Sequence, residues 1–111
     1  MYSVEFIFEP GKYDSEFHAL DNSIREVAES MDGYIGKESW QSADGTKINS
    51  TYYWENEEAI KEFSLHPKHL EAKRKYSKWY DGYHIVISEI QRSYGDNTIA
   101  HITPNERVKN A

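Results

Sequence analysis

Ser50-Thr51-Tyr52-Tyr53-Trp54-Glu55-Asn56-Glu57-Glu58-Ala59-Ile60-Lys61-Glu62-Phe63-Ser64-Leu65-His66-Pro67-Lys68-His69 is the stretch whose reading decides the fold. Its first five residues are β-branched, aromatic or small, which suits a pleated, half-buried strand. Glu55-Asn56 turns the chain. Asn56 can cap a short helix running to about Phe63, and Glu57 and Glu58 place negative charge where the helix dipole favours it. Ala59, Ile60 and Phe63 make the apolar side of that helix. Pro67 fits the first turn of another helix, with His66 near its cap position, and this helix is expected to run to about Tyr76.

Working outward, residues 2–9 alternate, with Tyr2, Val4, Phe6 and Phe8 on one side and Ser3, Glu5, Ile7 and Glu9 on the other. That is a period-two strand, stopped by Pro10-Gly11. From Tyr13 the period lengthens: Tyr13, Phe17, Leu20, Ile24, Val27, Ala28 and Met31 fall on one helical face. Asp14 or Ser15 can cap this helix, and Gly33 suits a left-handed residue beyond its end. Residues 34–42 and 47–54 form a hairpin around Ala43-Asp44-Gly45. Trp79-Tyr80-Asp81-Gly82 leads into a last strand over 83–94. Beyond Gly95 the chain is polar, with room for a short strand over 98–103 before a loose end.

The order is β-α-β-β-α-(α)-β, the ferredoxin-like α+β arrangement with a four-stranded antiparallel sheet. Residues 1–95 make this domain, and 96–111 a polar C-terminal tail. The first and last strands are apolar on both faces, through Phe6 opposite Ile7 and Ile85 opposite Val86, while the helices suffice to cover one face. A second copy of the sheet is the simplest cover, so a homodimer is expected.

Composition narrows the function classes. The 111 residues carry a net charge of −6, which argues against nucleic acid or an anionic membrane as partner. There is no cysteine, which removes disulfides, thiolate catalysis and thiolate metal sites. No apolar run reaches the ~20 residues of a membrane helix, and no secretion signal is evident, so a cytoplasmic location is expected. Nine tyrosines point to a core or pocket built of amphipathic rings. No glycine-rich phosphate loop or dinucleotide fingerprint is present.

The run Tyr52-Tyr53-Trp54-Glu55-Asn56-Glu57-Glu58-Ala59, followed by Phe63 and His66-Pro67-Lys68-His69, resembles the antibiotic biosynthesis monooxygenase (ABM) family. The similarity extends to the Asp32-Gly33-Tyr34 junction, Gln41-Ser42 before the hairpin turn, and Gln91-Arg92-Ser93-Tyr94. It implies a dimeric α+β barrel. It also implies cofactor-independent oxygenation of a small phenol- or quinol-like aromatic, in which the deprotonated substrate itself reduces oxygen. Neither metal nor organic cofactor is expected. Phe63 and Lys73 stand where the haem-degrading branch has Trp and His, so haem degradation is disfavoured. In the polyketide-oxidising branch an Asn and a Tyr handle substrate; Ser50 and Ile60 replace them, Trp54 is kept, and Lys73 lies near that branch's Arg.

Candidate residues follow from both readings. His66 and His69 lie three apart on one helix turn and are the candidate catalytic acid–base pair, with capping as the structural alternative. Trp40, Ser50, Tyr52, Trp54, Phe63, Lys73 and His84 are the candidate substrate-binding residues. The aromatics among them can equally be core, and His84 serves only if its strand face lines the pocket. Two histidines without a placed carboxylate make no metal site. His18, on the polar side of the first helix, and His101, in the tail, are expected to face solvent. A non-catalytic, dimeric ligand-binding or stress-related protein on the same fold is the alternative function.

Overall fold

A computed structural model describes residues 1–109, with side chains through Arg107. The end of the expected tail, residues 110 and 111, lies outside the described residues. The elements are β1 (Tyr2–Pro10), α1 (Ser15–Ser30), β2 (Tyr34–Gln41), β3 (Ile48–Trp54), α2 (Glu57–Ser64), α3 (Pro67–Trp79), β4 (Tyr80–Glu89) and a short α4 (Glu106–Lys109). The four strands form one sheet in the order β2-β3-β1-β4, every pair antiparallel. This is the ferredoxin-like α+β fold. Among the described residues no helix is long and apolar enough to cross a membrane.

Local chemistry explains where the helices begin. Asp14 caps α1 by accepting the Phe17 N–H at 2.8 Å, Asn56 caps α2 through Ala59 N–H at 2.9 Å, and His66 Nδ1 caps α3 through Lys68 N–H at 3.1 Å. Asp14 also accepts the buried Trp79 indole N–H at 3.1 Å, tying the start of α1 to the end of α3. The Phe17 N–H, and after it the Trp79 indole, hold the Asp14 carboxyl below the usual range. Gly33 adopts φ +92° between α1 and β2, a backbone that side chains rarely take.

Helices α1–α3 cover one sheet face. Trp54, only 1% exposed, sits there with Ala28 and Ala59 and packs against Val4, Met31, Tyr34, Ile60 and Phe63. The opposite, outer face carries Ile7, Trp40, Tyr53, His84 and Val86. One irregularity matters for everything that follows. Tyr34 pairs with Trp54, but the next pairing is Gly36 with Tyr53, so Ile35 is an extra residue in β2. A bulge of one residue reverses the faces of everything beyond it. Lys37, Ser39 and Gln41 therefore face the helices, while Glu38 and Trp40 face outward.

Two expectations change. The last strand spans Tyr80–Glu89 rather than 83–94, because its partner β1 starts at Tyr2, which pairs with Glu89. Residues 98–103 form no strand. Asp96 turns the chain by accepting the N–H and hydroxyl of Thr98, and His101 Nδ1 accepts the N–H of Thr103. His101 Nε2 reaches Glu38 at 3.0 and 3.1 Å on the outer face, where Tyr53 also donates its hydroxyl to Glu38 at 2.6 Å. Ile102 packs over Gly36 so closely that a Cβ there would stand 3.0 Å from its Cγ2 methyl.

Candidate functional site

A cavity of about 390 Å³ opens between α1 and the helix-facing side of the sheet. Phe6, Phe8 and Ile48 supply its sheet floor, and Tyr13, Phe17, His18 and Asp21 its helix side. Lys37, Ser39, Ser50 and Tyr52 form a wall on β2 and β3, and Tyr80 closes the end. The bulge at Ile35 is what admits Lys37 and Ser39 to this wall.

Tyr80 is the hub of the aromatic part. Its ring lies 5.5 Å from Phe6, 5.0 Å from Phe8, 5.9 Å from Tyr13 and 5.9 Å from Phe17, mostly edge-to-face. Tyr13 and Phe17 stack in parallel at 4.0 Å. Such contacts fix ring positions and leave flat faces for a planar ligand. The polar wall is different in kind. Ser39 and the buried Ser50 share a 3.0 Å hydrogen bond between their hydroxyls, and the Lys37 ammonium stands 5.2 Å from the Tyr52 ring centroid.

Burial, followed by the negative charge of Asp21, pushes the Tyr52 phenol up to about 12. Burial, with smaller contributions from Tyr13 and Asp21, lifts Tyr80 well above the usual phenol range. Tyr13 is also raised, first by burial and then by Asp21. One carboxylate thus acts on three phenols, each of which stays a hydrogen-bond donor at neutral pH. His18 and Asp21, three residues apart, share the cavity face of α1. The site can therefore bind a flat aromatic, donate hydrogen bonds to an oxygen on it, and accept a proton from it.

Of the residues singled out from sequence, the structure brings Ser50 and Tyr52 to this cavity. The others lie elsewhere. Trp54 is core. Trp40, 65% exposed, is on the outer face because the bulge turned it there. His84 pairs with Ile7 on the outer face and lines a smaller hollow of about 200 Å³. Phe63 packs on Trp54 at 5.1 Å and on His69 at 4.9 Å. Lys73 donates to the Ser64 carbonyl at 3.3 Å.

His66 and His69 do not join the cavity either. His66 has committed Nδ1 to capping α3. His69 also meets the Ser64 carbonyl, and its Nδ1 is buried without a partner. Burial, then the nearby Lys73 charge, pulls its imidazole down to about 4. At neutral pH it is an uncharged packing group.

The sequence reading missed Tyr13, His18, Asp21, Lys37, Ser39 and Tyr80. The helical period put Tyr13 and Phe17 on the apolar face of α1 but Asp21 on the opposite one, so it gave no signal for this pairing. Nothing local announced the bulge. Among the described residues no group of three or more His, Asp or Glu side chains is placed to hold a metal ion.

Comparisons with known proteins point one way. The family model described as monooxygenase af470-like matches residues 3–88. The chain is 30% identical over 100 residues to uncharacterized protein YqjZ of Bacillus subtilis (strain 168), covering 87% of each chain. The fold is similar to Rv0793 of Mycobacterium tuberculosis, with TM-score 0.68, 17% identity, and coverage of 85% of this chain and 98% of that one. It is also similar to SnoaB, a cofactor-independent oxygenase from Streptomyces nogalater. There the TM-score is 0.66, with 10% identity and coverage of 83% and 94%.

Proposed function

Because the chain belongs to the monooxygenase af470-like family and shares the fold of the antibiotic biosynthesis monooxygenases, we propose that it oxygenates a small phenol- or quinol-like aromatic in the cavity between α1 and the sheet. The observation that carries this reading is the cavity's composition. Aromatic faces around Tyr80 meet proton-accepting groups, His18 and Asp21, and donors, Lys37, Ser39, Ser50 and Tyr52.

The chemistry needs no electron source beyond the substrate. His18 or Asp21 takes one proton from a ring methylene in the keto form of the substrate, leaving a carbanion delocalised onto the ring oxygen as a phenolate. The phenolate makes the conjugated ring carbon electron-rich, and the cavity donors stabilise the negative charge. At that carbon, now CH, dioxygen adds and the base returns its proton to give a hydroperoxide. One oxygen stays as a carbonyl, and the other leaves as water with the two hydrogens that were on carbon.

A second copy of the chain is part of this proposal. Ile7, Trp40 and Val86 on the outer face are left uncovered by the chain's own helices. Trp40 and Val86 are exposed. Face-to-face association would bury them at roughly 25 cal/mol per Å². Light scattering at micromolar concentration tests it, and a monomer contradicts it.

Oxygen uptake with a panel of quinols and anthrone-like phenols in chelator-treated buffer, with products identified by mass, tests the activity. Uptake with a product gaining one oxygen atom supports the proposal. A ligand that binds, raises the melting temperature and is recovered unchanged without uptake supports a non-catalytic binding protein instead.

A further inference from the structure

We propose that Lys37 and the Ser39–Ser50 hydroxyl pair form an oxyanion clamp, selecting aromatics that carry an ionised oxygen and fixing the end of the cavity at which that oxygen lies. The proposal deepens the reading of the cavity as the substrate site and rests on it.

Three features of the wall support it. First, it is polar where the rest of the lining is aromatic. In the same layer of the sheet, β1 presents Phe6 and Phe8, whereas β2 presents Lys37 and Ser39. Lys37 and Ser39 are exposed, so both are open to an incoming oxygen. Second, the partners are incomplete. Two hydroxyls carry two O–H donors, and a single hydrogen bond between them uses one, leaving the other for an incoming oxygen. Third, among the described residues no carboxylate lies within ion-pairing distance of the Lys37 ammonium. It sits over Tyr52 instead.

Orientation follows from charge. The titratable groups facing the wall from α1 are His18 and Asp21, and the Asp21 carboxylate repels an anionic oxygen from the helix side. The ionised oxygen therefore goes to Lys37, where a charge-assisted hydrogen bond is stronger than a neutral one. The ring lies on the aromatic floor. Uncharged aromatics enter the same cavity without gaining the clamp.

The test uses 4-nitrophenol, whose phenolate is coloured, and nitrobenzene as its uncharged isostere, titrated into the full chain. The wild type is expected to bind the phenolate about tenfold more tightly than the neutral phenol, seen as a downward shift of about one unit in the probe's titration. Lys37→Met abolishes the preference, leaving nitrobenzene affinity as in the wild type, and Lys37→Arg restores it. An equal preference in wild type and Lys37→Met overturns the clamp, as does failure of either probe to bind. The colour change requires no turnover. Absent oxygen uptake with the shift intact therefore defeats the oxygenase reading alone, and uptake without the shift defeats the clamp alone.

Discussion

The Ser39 and Ser50 hydroxyls meet at 3.0 Å across the β2–β3 ladder, with Ser50 buried beside Phe6. The pairing exists because Ile35 is bulged out of β2, so Ser39 rather than Trp40 faces the helices. Ser50→Ala removes one partner of this bond. Ser39 is exposed and can turn toward water, so the cost stays near that of one net hydrogen bond, about 1 kcal/mol. Urea unfolding measures it, and binding of phenolate probes falls in parallel.

Acid should loosen the α2–α3 junction through His69. Its imidazole is held at about 4 in the folded chain against 6.5 for the ordinary group. The unfolded chain thus takes up the proton first as pH falls. The stability that the neutral ring allows is complete above pH 6.5 and is lost progressively down to about pH 4. Allowing for partial solvent access, the loss is on the order of 2 kcal/mol. His69→Leu should flatten this part of the pH–stability curve. A wild-type curve already flat between those limits contradicts the assignment.

The three tryptophans should respond differently. Trp54→Ala empties the centre of the core and should cost about 3–5 kcal/mol. Trp79→Phe keeps most of the volume but leaves Asp14 without the indole N–H, at about 1–2 kcal/mol. Trp40→Lys should leave the fold of one chain intact, within about 0.5 kcal/mol. Its effect should appear as weaker self-association, read by sedimentation.

The C-terminal segment should be fastened by His101. Removing the imidazole with His101→Ala leaves Tyr53 donating to Glu38 but frees residues 96–105 from the sheet. Hydrogen exchange over that segment should accelerate while β1 and β3 stay protected, with a stability change below about 1 kcal/mol. Unaltered exchange contradicts the latch.

Much of the fold was legible because its signals are local. Asp14, Asn56 and His66 cap helices where the sequence put caps, and alternation in β1 gave the sheet its two faces. The cavity was not legible in the same way. Alternation counted from Tyr34 sends Lys37 and Ser39 outward and Trp40 inward, and a single bulged residue inverts that. His18 is exposed, as expected, and nothing in the sequence shows that a cavity opens beside it. His66 and His69 drew attention as a pair, yet one ring is used by a cap and the other by packing against Phe63. The Glu38–His101 contact joins residues far apart in sequence, beyond the reach of any periodicity.

On the proposed reading, the chemistry takes place between α1 and the sheet. The most direct test is oxygen uptake on an active quinol by the wild type, by Ser50→Leu, which fills the cavity, and by His18→Ala combined with Asp21→Asn. We expect uptake by the wild type, none by Ser50→Leu, and a fall of at least about a hundredfold in the double variant. Full uptake by both variants, with loss in His66→Ala or His69→Ala instead, would place the chemistry at the α2–α3 junction and contradict the account.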